Sequence, residues 1–225
     1  MKYTSLFFDL DNTLLDFYKA EAVAIERVLK QHSLPYDGDT IKLYSKINRS
    51  YWERFERGEI PKEAIYEGRF ITLFEALNCN GDAKTVAKDY FNALADGHFV
   101  MNGAVEILEY LKAKGYKIYA TTNGVSFTQY KRIENSGLAP YFDKVFVSED
   151  AGCQKPDKAY FEYVLNNIDE KEKSNILIIG DSLSSDILGG INSGIDTCWF
   201  NNEHKKSPYE IQYEITDLSE LKSLL

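Results

Sequence analysis

Leu6-Phe7-Phe8-Asp9-Leu10-Asp11-Asn12-Thr13 decides the reading of this chain: an apolar run that ends abruptly on two carboxylates. Three large apolar residues with no polar alternation fit a strand buried on both faces, as in parallel sheets. Asp9 and Asp11 then fall just past the strand, two residues apart, with their side chains on one side. Carboxylates that close repel each other and persist at low cost only if a cation sits between them or one holds a proton. Taken alone, the segment also reads as an acidic turn capping a helix.

Outward from this stretch the same punctuation recurs. From residue 99 on, amphipathic stretches alternate with short apolar runs, the pattern of a parallel sheet covered by helices on both faces. Ala104, Ile107, Leu108 and Leu111 keep helical spacing before a stop at Gly115, and Lys117-Ile118-Tyr119-Ala120 follows as a strand. Val145-Phe146-Val147, Ile176-Leu177-Ile178-Ile179 and Thr197-Cys198-Trp199-Phe200 are further strands, and Asp217 to Leu221 reads as a short closing helix capped by its aspartate. Between the first strand and residue 99 no such run occurs, and the segment reads as helices broken at Ser33-Leu34-Pro35, Gly58-Glu59-Ile60-Pro61 and Asn78-Cys79-Asn80-Gly81-Asp82. The expected fold class is α/β: a Rossmann-like parallel sheet core of residues 1–16 and 99–225, with a helical insertion, residues 17–98, after its first strand.

Polar clusters begin where the strands end, which is where open parallel sheets bind ligands. Thr121-Thr122-Asn123-Gly124 follows the Ile118 strand and brings a hydroxyl, an amide and a flexible glycine that can surround an oxyanion. Lys155, in Gln154-Lys155-Pro156-Asp157, stands just before a helix start, where proline fixes the backbone and aims a cation. Gly180-Asp181-Ser182-Leu183-Ser184-Ser185-Asp186 follows the most strand-like run, and its two acids could reach one hard cation. Each cluster alone has an ordinary reading: a turn, a solvated lysine, a helix cap. Those readings would have to coincide at four strand ends.

Composition bounds the function. The 225 residues are 44% hydrophobic, enough for a sizeable core, and the formal charge of -9 repels polyanions, which excludes gripping a nucleic-acid backbone. Cys79, Cys153 and Cys198 are widely spaced and form no zinc pattern, which suits a reducing compartment. The apolar run before Asp9 is too short for a signal peptide or membrane span, so a soluble, unprocessed, cytoplasmic protein is expected. His32, His98 and His204 lie outside the clusters.

Asp-x-Asp-x-Thr at 9–13, Thr122-Asn123, Lys155-Pro156 and Gly180-Asp181 with Asp186 stand in the order of the four motifs of the haloacid dehalogenase (HAD) superfamily, which the chain resembles over nearly its whole length. The insertion resembles a C1-type cap, and Trp52 to Arg69 and Thr122 to Trp199 resemble pyrimidine 5'-nucleotidases of the YjjG type. The resemblance implies that Asp9 is a nucleophile forming an aspartyl-phosphate, and that Asp11 protonates the leaving oxygen and then activates water. It implies Mg2+ held by Asp9, the Asp11 carbonyl and Asp181, with Asp186 orienting its water shell. Phosphate would lie against Asp9, Leu10 and Asp11, bound by Thr122, Lys155 and Asn123, with Thr13 shaping the loop.

The implied substrate is a small phosphorylated metabolite, a nucleoside monophosphate, with no nucleic-acid polymer or membrane as partner and a monomer or homodimer as the assembly. In the insertion, Trp52 and Arg69, with Tyr51, Phe55 and Phe70 nearby, form an aromatic and basic set that could meet a base, although aromatics at this spacing also build helix cores. A phosphatase or phosphomutase acting on a sugar phosphate or phosphoglycolate is the alternative, and a non-catalytic phospholigand-binding protein is more remote. A haloacid dehalogenase would lack the second motif acid, Asp11, and a phosphonate hydrolase would need a Schiff-base lysine that the insertion does not identify.

Overall fold

A strand sends successive side chains to opposite faces, so strands without polar alternation must be covered on both sides. The computed structural model, which describes residues 2–225, meets this demand with a six-stranded parallel sheet. The strands are β1 (Ser5–Phe8), β2 (Lys117–Thr122), β3 (Lys144–Val147), β4 (Ile176–Gly180), β5 (Asp196–Phe200) and β6 (Tyr213–Ile215), in the order β3-β2-β1-β4-β5-β6. The chain divides into two compact units: residues up to Asp16 with Val100–Leu225, and Phe17–Phe99. Phe99 packs with the helical unit, one residue beyond the boundary expected from sequence.

The helical unit comprises α1 (Phe17–Gln31), α2 (Gly38–Glu56), α3 (Glu63–Ala76) and α4 (Ala83–Ala95). Ala20, Ala24, Ile25 and Val28 of α1 keep the spacing of one helix face and pack with Tyr44, Phe70, Leu73 and Tyr90 in a core of its own. Asp37 and Asp82 cap α2 and α4 by accepting hydrogen bonds from backbone N–H groups. The three breaks read from sequence are the turns between helices; Ser33, Gly58 and Asn78 take positive φ there.

In the sheet unit the helices are α5 (Ala104–Ala113), α6 (Ser126–Asn135), α7 (Ser148–Ala151), α8 (Lys158–Asn166), α9 (Leu188–Ser193) and α10 (Leu221–Leu224). Leu6, Phe8, Ile118, Ala120, Leu177 and Ile179 enter one cluster with Ile107, Leu108 and Leu111 of α5. Their strand neighbours Phe7, Tyr119, Ile176 and Ile178 enter another with Tyr160, Phe161 and Val164 of α8. The closing helix is a 3-10 turn, Leu218–Glu220, running into α10, with a capping box between Asp217 and Glu220. Strand β6 is an addition to the sequence reading: it is three residues long and pairs only with β5, so no apolar run marks it. No helix among the described residues is long and apolar enough to cross a membrane.

Register places the clusters. Phe8 lies opposite Ala120 on one side and Ile179 on the other, so Asp9, Thr121-Thr122 and Gly180-Asp181 leave the sheet at the same edge. Thr122 pairs with Val147, after which the chain reaches Lys155 through α7. We expect Ile178→Ala to cost about 2–5 kcal/mol in urea denaturation, because it empties a packed site between sheet and α8, whereas exposed Ile71→Ala should stay within about 0.5 kcal/mol of wild type.

Candidate active site

Asp9 continues β1, its N–H donating to Ile179 O at 2.9 Å, and its carboxylate is almost wholly buried. A buried charge is costly unless paired, and the partner is Lys155. Lys155 Nζ donates to Asp9 Oδ1 at 2.8 Å, Asp186 Oδ1 at 2.6 Å and Thr121 O at 2.7 Å, which uses all its hydrogens. Thr13 Oγ1 donates to Asp9 Oδ2 at 3.3 Å. Burial opposes the charge on Lys155, but Asp186 and Asp9 more than offset it, and the ammonium is held above its ordinary value. Burial pushes the Asp9 carboxyl up to about 7; Lys155 pulls against it while Asp186 and Asp11 add to it.

The fourth cluster folds differently from an aspartate-capped helix. Ser182 is the cap, its hydroxyl accepting from Ser185 N at 3.2 Å, and the chain then makes a π-type turn, Leu183–Ile187, before α9. This arrangement leaves both acids for the site. Asp186, fully buried, accepts from Lys155 and, through Oδ2, from Ser182 N at 3.1 Å. The Asp181 carboxylate receives no hydrogen bond from the described residues, and burial, with the charges of Asp9 and Asp186, drives it well above the usual range. Gly180 is not at positive φ; it is required for space, because a Cβ there would lie 2.2 Å from Asp186 Oδ2.

Oxygen atoms of Asp9, Asp181 and Asp186 lie within 4.8 Å of one another. Three carboxylates against the Lys155 ammonium leave two negative charges uncompensated, and an all-oxygen donor set of that charge fits a divalent cation such as Mg2+.

Asp11 and Thr122 meet through α6. Arg132 Nη1 donates to Asp11 Oδ1, and Gln129 Nε2 donates to Asp11 Oδ2 at 2.9 Å and to Thr122 Oγ1 at 2.8 Å. Asn123 holds the Lys155 backbone from both ends of its amide, accepting from Lys155 N at 2.9 Å and donating to Lys155 O at 2.8 Å. Leu10 buries its side chain in the sheet core. Gly124, read from sequence as flexible, is instead a clearance: its Cβ would lie 2.5 Å from the Gln129 side chain. Sequence reading missed Gln129 and Arg132, whose only signal is two polar residues one helical turn apart.

Trp52 and Arg69 lie in the helical unit. Arg69 is buried, donating from Nη1 to Asn48 Oδ1 at 2.8 Å, with its guanidinium 4.6 Å from the Tyr90 ring centroid. Asn48 in turn donates to the buried Glu21 at 2.6 Å, so this polar chain links α1, α2 and α3. Trp52 is half-buried, edge-on to Phe55.

A parallel sheet that gathers carboxylates around an ammonium at the carboxyl ends of its strands has the makings of a Rossmann-like hydrolase. The chain belongs to the haloacid dehalogenase-like hydrolases, whose family model matches residues 3–194. It is 40% identical to the HAD-hydrolase YfnB of Bacillus subtilis over all of this chain and 96% of that protein. A crystal structure of YfnB bound to magnesium superposes with a TM-score of 0.95 at 39% identity, covering 100% of this chain and 99% of that one. Pyrimidine 5'-nucleotidase PynA of Streptococcus pneumoniae is 37% identical over all of this chain and 96% of its own length, and pyrimidine 5'-nucleotidase YjjG of Escherichia coli is 34% identical over all of this chain and 99% of its own.

Two outcomes follow from this geometry. Folding strengthens the hold of Asp9 on its proton, so between the ordinary carboxylate range and about 7 the folded protein binds more protons than the unfolded chain, and this contribution to stability is lost as pH rises. Thermal unfolding of the metal-free protein should show wild type losing more stability than Asp9→Asn between about pH 4 and pH 7, and added Mg2+ should stabilise wild type more at about pH 8 than at about pH 5, where protons compete. Gly180→Ala should destabilise by about 1–3 kcal/mol in urea, since its Cβ displaces the buried Asp186 carboxylate.

Proposed function

We propose that this chain is a phosphomonoesterase that takes the phosphoryl group of a nucleoside 5'-monophosphate onto Asp9, with a pyrimidine nucleotide as the preferred substrate. The observation that carries the chemistry is the Asp9 carboxylate, buried and bridged by Lys155 to Asp186, beside an Asp181 carboxylate to which no donor among the described residues hydrogen-bonds. The likeness to PynA and YjjG over the whole chain supports the substrate.

In the first step an Asp9 oxygen attacks phosphorus, the ester P–O bond breaks, and Asp11 gives its proton to the departing sugar oxygen. In the second, water attacks phosphorus, Asp11 takes the water proton, and the bond to Asp9 breaks to release inorganic phosphate. Lys155 keeps Asp9 aimed and offsets its charge, Asn123 fixes the Lys155 backbone, and Thr122 donates to a phosphate oxygen. Mg2+ would be held by Asp9, Asp181 and the Asp11 carbonyl, with Asp186 orienting its water shell. When bound it supplies the positive charge that lets a phosphate dianion approach three carboxylates.

The test is phosphate release from a panel of nucleoside monophosphates, sugar phosphates and phosphoglycolate. Pyrimidine monophosphates should be preferred, EDTA should abolish turnover, Mg2+ should restore it, and Asp9→Asn should lower kcat by at least about 1,000-fold. Strong preference for a sugar phosphate would overturn the substrate while sparing the mechanism. Turnover by Asp9→Asn at the wild-type rate would overturn the mechanism.

A further inference from the structure

Helix α6 buries polar side chains and exposes aromatic ones: Phe127 and Tyr130 are exposed, while Thr128, Gln129 and Arg132 are buried along with Ile133. Burying an amide and a guanidinium is costly unless their hydrogen bonds serve a purpose elsewhere. Resting on the phosphatase reading above, we propose that Gln129 and Arg132 are positioning residues that fix the Thr122 hydroxyl as a hydrogen-bond donor to a phosphate oxygen.

A guanidinium can only donate, and Arg132 Nη1 lies 3.0 Å from Gln129 Oε1, so the amide must turn its oxygen to Arg132 and its NH2 the other way. That NH2 reaches Asp11 Oδ2 and Thr122 Oγ1. Gly124 N donates to the same Thr122 oxygen at 3.0 Å. A hydroxyl accepts two hydrogen bonds and donates one. Both acceptor positions of Thr122 are thus filled by N–H groups, and its own hydrogen has no protein acceptor among the described residues. An oxyanion supplies that acceptor. If the amide were reversed, Thr122 could donate to the Gln129 oxygen and offer only lone pairs to a phosphate. Gly124 keeps the path open, since a Cβ would strike Gln129.

The test is the inhibition constant of inorganic phosphate in the presence of Mg2+, measured on the full chain for wild type, Gln129→Glu, Thr122→Val and the double variant. A glutamate carboxylate only accepts, so it draws the Thr122 hydrogen to itself. Gln129→Glu and Thr122→Val should each weaken phosphate binding by roughly 10-fold or more, the loss of one charge-assisted bond, and the double variant should match Thr122→Val within about twofold. In a Thr122→Ser background, which keeps the hydroxyl, the Gln129→Glu effect should return. The proposal is overturned if Gln129→Glu costs as much in the Thr122→Val background as in wild type, the result that repulsion of Asp11 or a packing defect would give. It is equally overturned if either single variant binds phosphate as wild type does. Should Gln129→Glu fail to fold, by circular dichroism, Gln129→Met serves in its place, with weaker phosphate binding expected only where the hydroxyl is present. Two further results separate the levels: a wild-type protein that releases no phosphate from any ester of the panel defeats the phosphatase reading, whereas an active wild type with an additive cycle defeats this inference alone.

Discussion

The Lys155 ammonium, buried between Asp9, Asp186 and the Thr121 carbonyl, is the interaction on which the site depends. Breaking a buried ion pair by removing one partner costs about 3–5 kcal/mol, so the ends of β1 and β2, the loop after β3 and the turn after β4 are bound to one another through one nitrogen. The pairing is incomplete in charge. Asp181 adds a carboxylate that Lys155 does not neutralise by contact, and burial first, then the charges of neighbouring carboxylates, raise the affinities of Asp9 and Asp181 for protons. A site with that imbalance is prepared for a cation, and with the cation for an anion.

Two glycines show how the scaffold makes room for this. Gly180 and Gly124 have ordinary φ, and each is a place where a buried polar side chain lies against the backbone. Asp186 occupies the first space and Gln129 the second. Each glycine of a motif therefore marks a partner elsewhere in the chain: one positions the far end of the ammonium bridge, the other joins Asp11 to Thr122.

The strands that flank the site were legible because each is a run of apolar residues bounded by polar ones, and burial on both faces demands that composition. Asp9, Thr122 and Asp181 were legible as residues that follow those runs at one end, and Lys155 as a cation that proline sets before a helix start. β6 was not, because a three-residue edge strand needs only one paired neighbour and little apolar surface. Gln129 and Arg132 were hidden for a stronger reason. Side-chain polarity at 127–132 would place Phe127 and Tyr130 inward, whereas α6 leaves them exposed and buries Gln129 and Arg132 along with Ile133. Arg69 was noticed for its charge next to aromatics, but sequence could not show that it is buried with Asn48 against Tyr90.

The register of β1 with β2 and β4 and the bridge from Lys155 converge on the Asp9 carboxylate. The central claim is that this carboxylate becomes covalently phosphorylated. It is tested most directly by acid-quenching the enzyme during turnover of a nucleoside monophosphate and mapping phosphate on its peptides by mass spectrometry. A hydroxylamine-labile acyl phosphate on Asp9 is the expected result. Turnover without any phosphorylated peptide, or with the phosphate on another residue, would contradict it.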